Sequence, residues 1–151
     1  LCIPELTIST EKARKILPKK IPLPEVVFSS SRVALLLSAL NQKRYDLLKL
    51  AMEDKLHQPY REKLIPGMKK VFQSAYSAGA LGVALSGSGS SILALSQEPR
   101  PARRPPNRRI SGGGAKSEKI GQAMVWAFKK EGTRSKYLVV GIDERGTKVY
   151  T

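Results

Sequence analysis

The sequence predicts an α+β fold, a mostly antiparallel sheet with helices packed on one face. Three observations carry that expectation. The elements follow in the order strand, helices, strand, strand, helix, strand. Two short apolar runs, Leu81 to Ser86 and Ile92 to Leu95, flank the tight loop Gly87-Ser88-Gly89-Ser90-Ser91. Met68, Val71, Phe72, Ala75 and Tyr76 recur at the spacing of one helix face. The 151 residues, 41% of them apolar, suit one compact domain spanning 1–151.

Leu1 to Ile8 reads as a strand interrupted by Pro4, so an edge position is expected. Ser9 and Thr10 cap a helix starting at Glu11, with Ala13, Ile16 and Leu17 apolar and Pro18 ending it. Residues 19–25 read as a connection. Ser29 to Ser31 offer caps for a helix over Arg32 to Asn41, which is apolar almost all round and therefore expected to be buried on most sides. Arg44 to Leu56 is amphipathic, and Gln58-Pro59-Tyr60 is expected to break it. The helix from Met68 ends where Gly79 supplies a cap. Ser117 is expected to cap a helix with Ile120, Ala123, Met124, Ala127 and Phe128 on its face and Gly132 at its end. Tyr137 to Ile142 reads as a strand, Glu144 to Gly146 as a turn, and Thr147 to Tyr150 as a return strand.

Residues 97–117 differ in kind. They hold four prolines, Gly112-Gly113-Gly114, and six arginines and lysines against Glu98 alone. So little apolar surface cannot offset ordering entropy, and a disordered basic insertion is expected. The whole chain carries a net charge of +15, which favours anionic partners: nucleotides, phosphorylated metabolites or nucleic acid. No apolar run approaches the roughly 20 residues of a membrane span. The longest, Val33 to Leu40, is interrupted by Ser38, and a soluble chain without a membrane partner is expected. One cysteine, Cys2, excludes an internal disulfide and suits a reducing cytoplasm. With a single histidine as well, neither a hydrolase triad nor a metal cluster can be assembled, so no metal ligand is assigned. The chain opens on Leu1-Cys2-Ile3, which reads as a start inside a strand and so as a fragment.

Three features could carry chemistry. In Ser86-Gly87-Ser88-Gly89-Ser90-Ser91, glycines permit positive φ, and successive N–H groups with serine hydroxyls can form an anion-binding concavity. No Lys-Ser/Thr follows, so it is not a Walker loop, and a strand follows instead of a helix, so it is not a dinucleotide fingerprint. A plain hairpin turn has the same composition. In His57-Gln58-Pro59-Tyr60-Arg61, the Arg61 guanidinium beside a proline-restricted turn could hold a carboxylate with two parallel hydrogen bonds. The bland alternatives are a solvated Arg61 and a His57 bonded to a last-turn carbonyl. Arg32 opens an apolar stretch, where a charge needs a partner. It reads either as a second carboxylate ligand or as an exposed first-turn residue.

Taken in order, Thr10-Glu11-Lys12-Ala13-Arg14, Ser31-Arg32, Pro59-Tyr60-Arg61 with Leu64-Ile65-Pro66-Gly67, and Gly79-Ala80-Leu81-Gly82 running into Leu85-Ser86-Gly87-Ser88-Gly89 resemble the homoserine kinases of the GHMP small-metabolite kinases. The resemblance covers nearly the whole chain except 97–117. It implies a ferredoxin-like two-layer sandwich, the C-terminal domain of these kinases. It also implies transfer of the ATP γ-phosphoryl group to the hydroxyl of L-homoserine, in threonine biosynthesis. Arg32 and Arg61 would then bind the homoserine carboxylate, with His57 in the same block, and Ser86, Gly87, Ser88, Gly89 and Ser90 would form the phosphate-side loop. The family's Pro-x-x-x-Gly-Leu-Gly-Ser-Ser loop for ATP does not occur between Leu1 and Thr151. ATP and Mg2+ would therefore be gripped mainly by an N-terminal half outside this chain, no catalytic residue is assigned here, and the chain alone is expected to be inactive. A two-layer sheet lacking that half would expose apolar surface and favour self-association. Ser90 stands where the family usually has proline, which would loosen the hairpin.

Two other functions compete. A basic nucleic-acid-binding module would use 97–117, although that stretch has no aromatic residue to stack on bases. A non-catalytic domain could bind an amino acid in the same scaffold.

Overall fold

The computed structural model describes residues 1–98 and 114–142. The return strand expected at 147–150, its turn, and most of the basic stretch at 97–117 lie outside the described residues.

Four short strands form one antiparallel sheet. They are β1 (Cys2–Pro4), β2 (Gly82–Leu85), β3 (Ile92–Leu95) and β4 (Ser135–Tyr137), in the spatial order β2-β3-β1-β4. The hairpin reading of β2 and β3 holds, in the register Val83 opposite Ala94 and Leu85 opposite Ile92. The edge position expected for the first strand does not: β1 lies between β3 and β4. The reason is parity. Glu5 N–H donates to the Arg134 carbonyl and Leu138 N–H to the Leu1 carbonyl. Odd residues therefore bond β4, and the proline nitrogen at position 4 turns toward β3, which meets β1 only at Cys2 opposite Ile92. No ladder bond is lost there.

Helix α1 (Thr10–Lys15) is capped by Ser9, whose side chain accepts from Lys12 N–H. Helix α2 (Leu23–Asn41) begins nine residues earlier than expected. Pro24 and Glu25 occupy its first turn, where a missing N–H costs nothing and a carboxylate suits the dipole. Ser29 to Ser31 are interior residues, not caps. The short helix α3 (Leu48–Ala51), preceded by a 3-10 turn at Tyr45–Leu47, replaces the longer helix expected over 44–56. Gln58-Pro59-Tyr60 starts a helix, α4 (Gln58–Arg61), continued by a 3-10 turn at Glu62–Leu64. Helix α5 (Met68–Ser77) matches its periodicity, and Gly79 at φ +103° lets Ala80 N–H reach back to the Ala75 carbonyl. Helix α6 (Ala115–Lys130) starts before Ser117, whose N–H and hydroxyl instead donate to the Glu98 carboxylate. Gly132, at φ +75°, follows its end as expected. The strand expected over 137–142 shrinks to Ser135–Tyr137.

The core lies between the sheet and α5 and α6, and its largest fully buried side chains are Phe128, Ile65, Ile92, Met124, Val71, Val83 and Cys2. Helix α2 stands outside it, packed against α3, which in turn touches β2. The burial expected for α2 is not found. Only Ser29 and Ala39 are buried, while Leu23, Val26, Val27, Val33, Leu37 and Leu40 are exposed. Because α2 is continuous over 19 residues, it is long and apolar enough, by length and composition, to cross a membrane, which corrects the expectation that no run qualifies.

Candidate functional site

The hairpin between β2 and β3 closes through Ser86 N–H on the Ser91 carbonyl at 2.8 Å and Gly89 N–H on the Ser86 carbonyl at 3.1 Å. Gly87 and Gly89 take φ of +60° and +88°, a region that side chains disfavour. Among the described residues, neither Gly87 nor Ser88 donates its N–H to a backbone carbonyl. Two consecutive free N–H groups on a turn suit an anion. Ser90 is buried, and its hydroxyl donates to the Leu6 carbonyl, tying the loop to the chain after β1.

Arg61 reaches this loop. Its Nη1 donates to the Gly87 carbonyl at 3.0 Å and its Nε to the Ala13 carbonyl at 3.3 Å. A guanidinium has five N–H groups, so three remain for a ligand beside Gly87. The reading of Arg61 as a solvated surface residue is replaced by an arginine held between α1 and the hairpin.

Two residues missed in the sequence hold α4 in place. Gln58 is buried, and its Oε1 accepts from Leu85 N–H at 2.8 Å, at the foot of the hairpin. Asp54 accepts from the N–H groups of Leu56, His57 and Gln58 at 2.9, 2.9 and 2.6 Å. Burial works against its charge, but the N–H groups of Gln58, Leu56 and His57 outweigh it and hold the carboxyl below the usual aspartate range. An Asp a few residues ahead of an X-Pro helix start was the available signal. His57 sits at the N-terminal end of α4 rather than at a helix C-terminus, and its Nδ1 is 3.5 Å from Asp54 Oδ2.

Arg32 lies elsewhere in the network. Its Nη2 meets Glu53 Oε2 at 3.2 Å, and its guanidinium carbon stands 4.1 Å from the Phe28 ring centroid. Lys55 covers the same ring at 4.4 Å. Arg32 Nε and His57 Nδ1 are buried without a hydrogen-bond partner among the described residues. No bond joins Arg32 directly to Arg61 or the hairpin among those residues. The connection is indirect: Lys55 N–H donates to Ser29 Oγ one turn from Arg32, and the neighbouring Asp54 caps α4. No group of three or more His, Cys, Asp or Glu clusters as a metal site among the described residues.

The sheet is antiparallel and backed by helices on one face, and its glycine–serine hairpin is gripped by an arginine. Residues 36–104 match the family described as GHMP kinases C terminal. The chain is 48% identical over 147 residues to homoserine kinase of Persephonella marina, an alignment covering 97% of the chain and 43% of that protein. Homoserine kinase of Aquifex aeolicus is 41% identical over 150 residues, covering 99% and 45%. The crystal structure of homoserine kinase from Cytophaga hutchinsonii superposes with a TM-score of 0.76 at 35% identity, over 92% of this chain and 40% of that one. Over nearly its whole length the chain is similar to homoserine kinases, and it corresponds to their C-terminal part. It spans less than half the length of these relatives. The nucleic-acid and non-catalytic readings are not favoured.

Proposed function

We propose that the chain is the substrate-side part of an ATP-dependent kinase that phosphorylates the hydroxyl of L-homoserine, in the cytoplasm. The observation that carries this reading is Arg61 bonded to the Gly87 carbonyl, next to the free N–H groups of Gly87 and Ser88. A carboxylate donor site and an anion-binding turn adjoin, as a substrate that is both an amino acid and a phosphoryl acceptor requires. Phosphoryl transfer is largely positioning and charge stabilisation. In this reading Arg61 fixes the homoserine carboxylate, and the hairpin N–H groups steady the phosphate oxygens at the acceptor side. Arg32, with its unpartnered Nε, offers a second cation, half neutralised by Glu53. His57, held by Asp54, borders the same site.

ATP binding is implied by the kinase class. The described residues fit a contact to its terminal phosphate but supply no carboxylate cluster, so we assign its accompanying Mg2+ to ligands outside them. Bound ATP supplies the phosphoryl group; this part of the protein supplies orientation of the acceptor. The rest of a protein of the relatives' length, its N-terminal half, is the partner that completes the site, and the chain alone is expected to show no homoserine-dependent turnover.

The test is a coupled assay of the chain joined to a matching N-terminal half. Loss of hydrogen bonds to a charged group is worth about 1.5–3 kcal/mol, so Arg61→Ala should lower kcat/KM for homoserine roughly 10- to 150-fold, mainly through KM. Unchanged KM and kcat would remove Arg61 from the carboxylate role.

A further inference from the structure

The turn at the tip of the hairpin has a definable type. Gly89 N–H bonds the Ser86 carbonyl, so Gly87 and Ser88 are its two central residues. Gly87 has φ +60°, and among the described residues Lys43 is the only non-glycine with positive φ, so Ser88 has a negative one. Positive then negative is the pattern of a type II′ turn. The other primed turn, type I′, turns the central peptide over and needs positive φ at both positions. A β-carbon disfavours that at Ser88. At Gly87 a β-carbon would meet nothing within 4 Å, so glycine stands there for its φ and the face of the turn is open.

The central peptide carries the Gly87 carbonyl and the Ser88 N–H, which point in opposite directions across a trans unit. Arg61 Nη1 holds that carbonyl at 3.0 Å. The Ser88 N–H is therefore aimed away from Nη1, into open space. The frame around this peptide is fixed by other bonds. Ser86 N–H meets the Ser91 carbonyl, and the Ser90 hydroxyl meets the Leu6 carbonyl. Gln58, three residues before Arg61, takes the Leu85 N–H, two residues before Gly87, so α4 is registered on the outward edge of β2. A charged donor on the carbonyl also polarises the peptide and strengthens its N–H as a donor. The Ser88 hydroxyl makes only a long contact, 3.5 Å, to the Gly89 carbonyl.

We propose that Arg61 is also a positioning residue for the phosphate side of the site. Through the Gly87 carbonyl it orients the Gly87–Ser88 peptide, so that the Ser88 N–H donates to an oxygen of the phosphoryl group. Ser88 contributes its β-carbon, which bars the flipped turn, and not its hydroxyl. The carboxylate and the phosphoryl group then lie on opposite sides of one peptide unit. Arg61 serves the first with its remaining N–H groups and the second through the backbone. This inference rests on the kinase reading above.

The test uses the chain joined to a matching N-terminal half. Gly87→Asn with Ser88→Gly installs the Asn-Gly pair that favours type I′, which turns the central peptide over and keeps a hairpin. Its kcat is expected to fall roughly tenfold or more, the loss of one hydrogen bond to a charged oxygen. Its KM for homoserine is expected to stay within about threefold, because Arg61 keeps its bond to the Ala13 carbonyl. A nuclear Overhauser contact between Gly87 Hα and the Ser88 N–H is expected to be strong in the parent and in Ser88→Ala, and weak in the double variant. Inorganic phosphate is expected to shift the amide resonance of position 88 in the parent and not in the double variant. A weak contact in the parent would overturn the proposal. So would an unchanged kcat in a double variant that has lost the contact, or a parent Ser88 amide that phosphate leaves unmoved. If the joined parent shows no homoserine-dependent turnover, the kinase reading fails, and the response of the Ser88 amide to phosphate then decides this inference by itself.

Discussion

The α4–hairpin corner and helix α2 are opposite solutions to the same chain. The corner is short in apolar residues and rich in bonds: Gln58 to Leu85, Arg61 to Ala13 and Gly87, Ser90 to Leu6, Asp54 to three N–H groups. Helix α2 is among the most apolar stretches of the chain, yet it buries only Ser29 and Ala39 along its length. The corner finds its partners within these residues; the outer face of α2 finds none among those described. Hydrophobicity states that a surface wants cover, whereas a bonded polar group identifies what covers it.

The sharpest way to break this contrast is Gln58→Leu. The change keeps the volume roughly but leaves the Leu85 N–H buried without an acceptor. The expected cost is about 2 kcal/mol, a fall in Tm of roughly 4–8 °C for a chain of this size. Denaturant and thermal unfolding measure it. A cost below about 0.5 kcal/mol would mean that water replaces the glutamine and that the corner is not closed.

The same contrast explains which features were legible in sequence. The hairpin and α5 were readable because each is local: a tight turn between apolar runs, and a clean helical period over 68–76. Arg61 was singled out from its proline neighbour, but its anchors, the carbonyls of Ala13 and Gly87, lie 48 and 26 positions away and leave no mark on its own segment. Pro4 misled because a proline forbids only one of a strand's two edges, and which edge matters depends on where β3 ends. Three serines in α2 looked like caps, yet Ser29 Oγ receives Lys55 N–H and Ser31 donates back to the Phe28 carbonyl, both interior uses of a hydroxyl.

A middle-sized effect sharpens the comparison through pH. Asp54 is only 12% exposed and carries three N–H bonds. Its folded pKa is lowered, so its stabilisation is complete above the unfolded value of about 3.9 and is lost as pH falls through the folded one. Asp54→Ala should cost about 1–2 kcal/mol near neutral pH, and the cost should shrink as pH falls below about 3.9. A cost independent of pH in this range would locate the loss in packing and not in the charge.

The smallest expected effect tests the other side. Leu37 is 59% exposed on α2. Leu37→Gln keeps helix propensity nearly constant and removes an apolar side chain that touches little, so stability of this chain should move by no more than about 0.5 kcal/mol. The same substitution in a protein of the relatives' length discriminates further. A cost of about 1–2 kcal/mol there, against almost none here, assigns the face to a contact made by the additional polypeptide. A comparable cost already in this chain, increasing with protein concentration, assigns it to a second copy, because only an intermolecular contact makes unfolding depend on concentration.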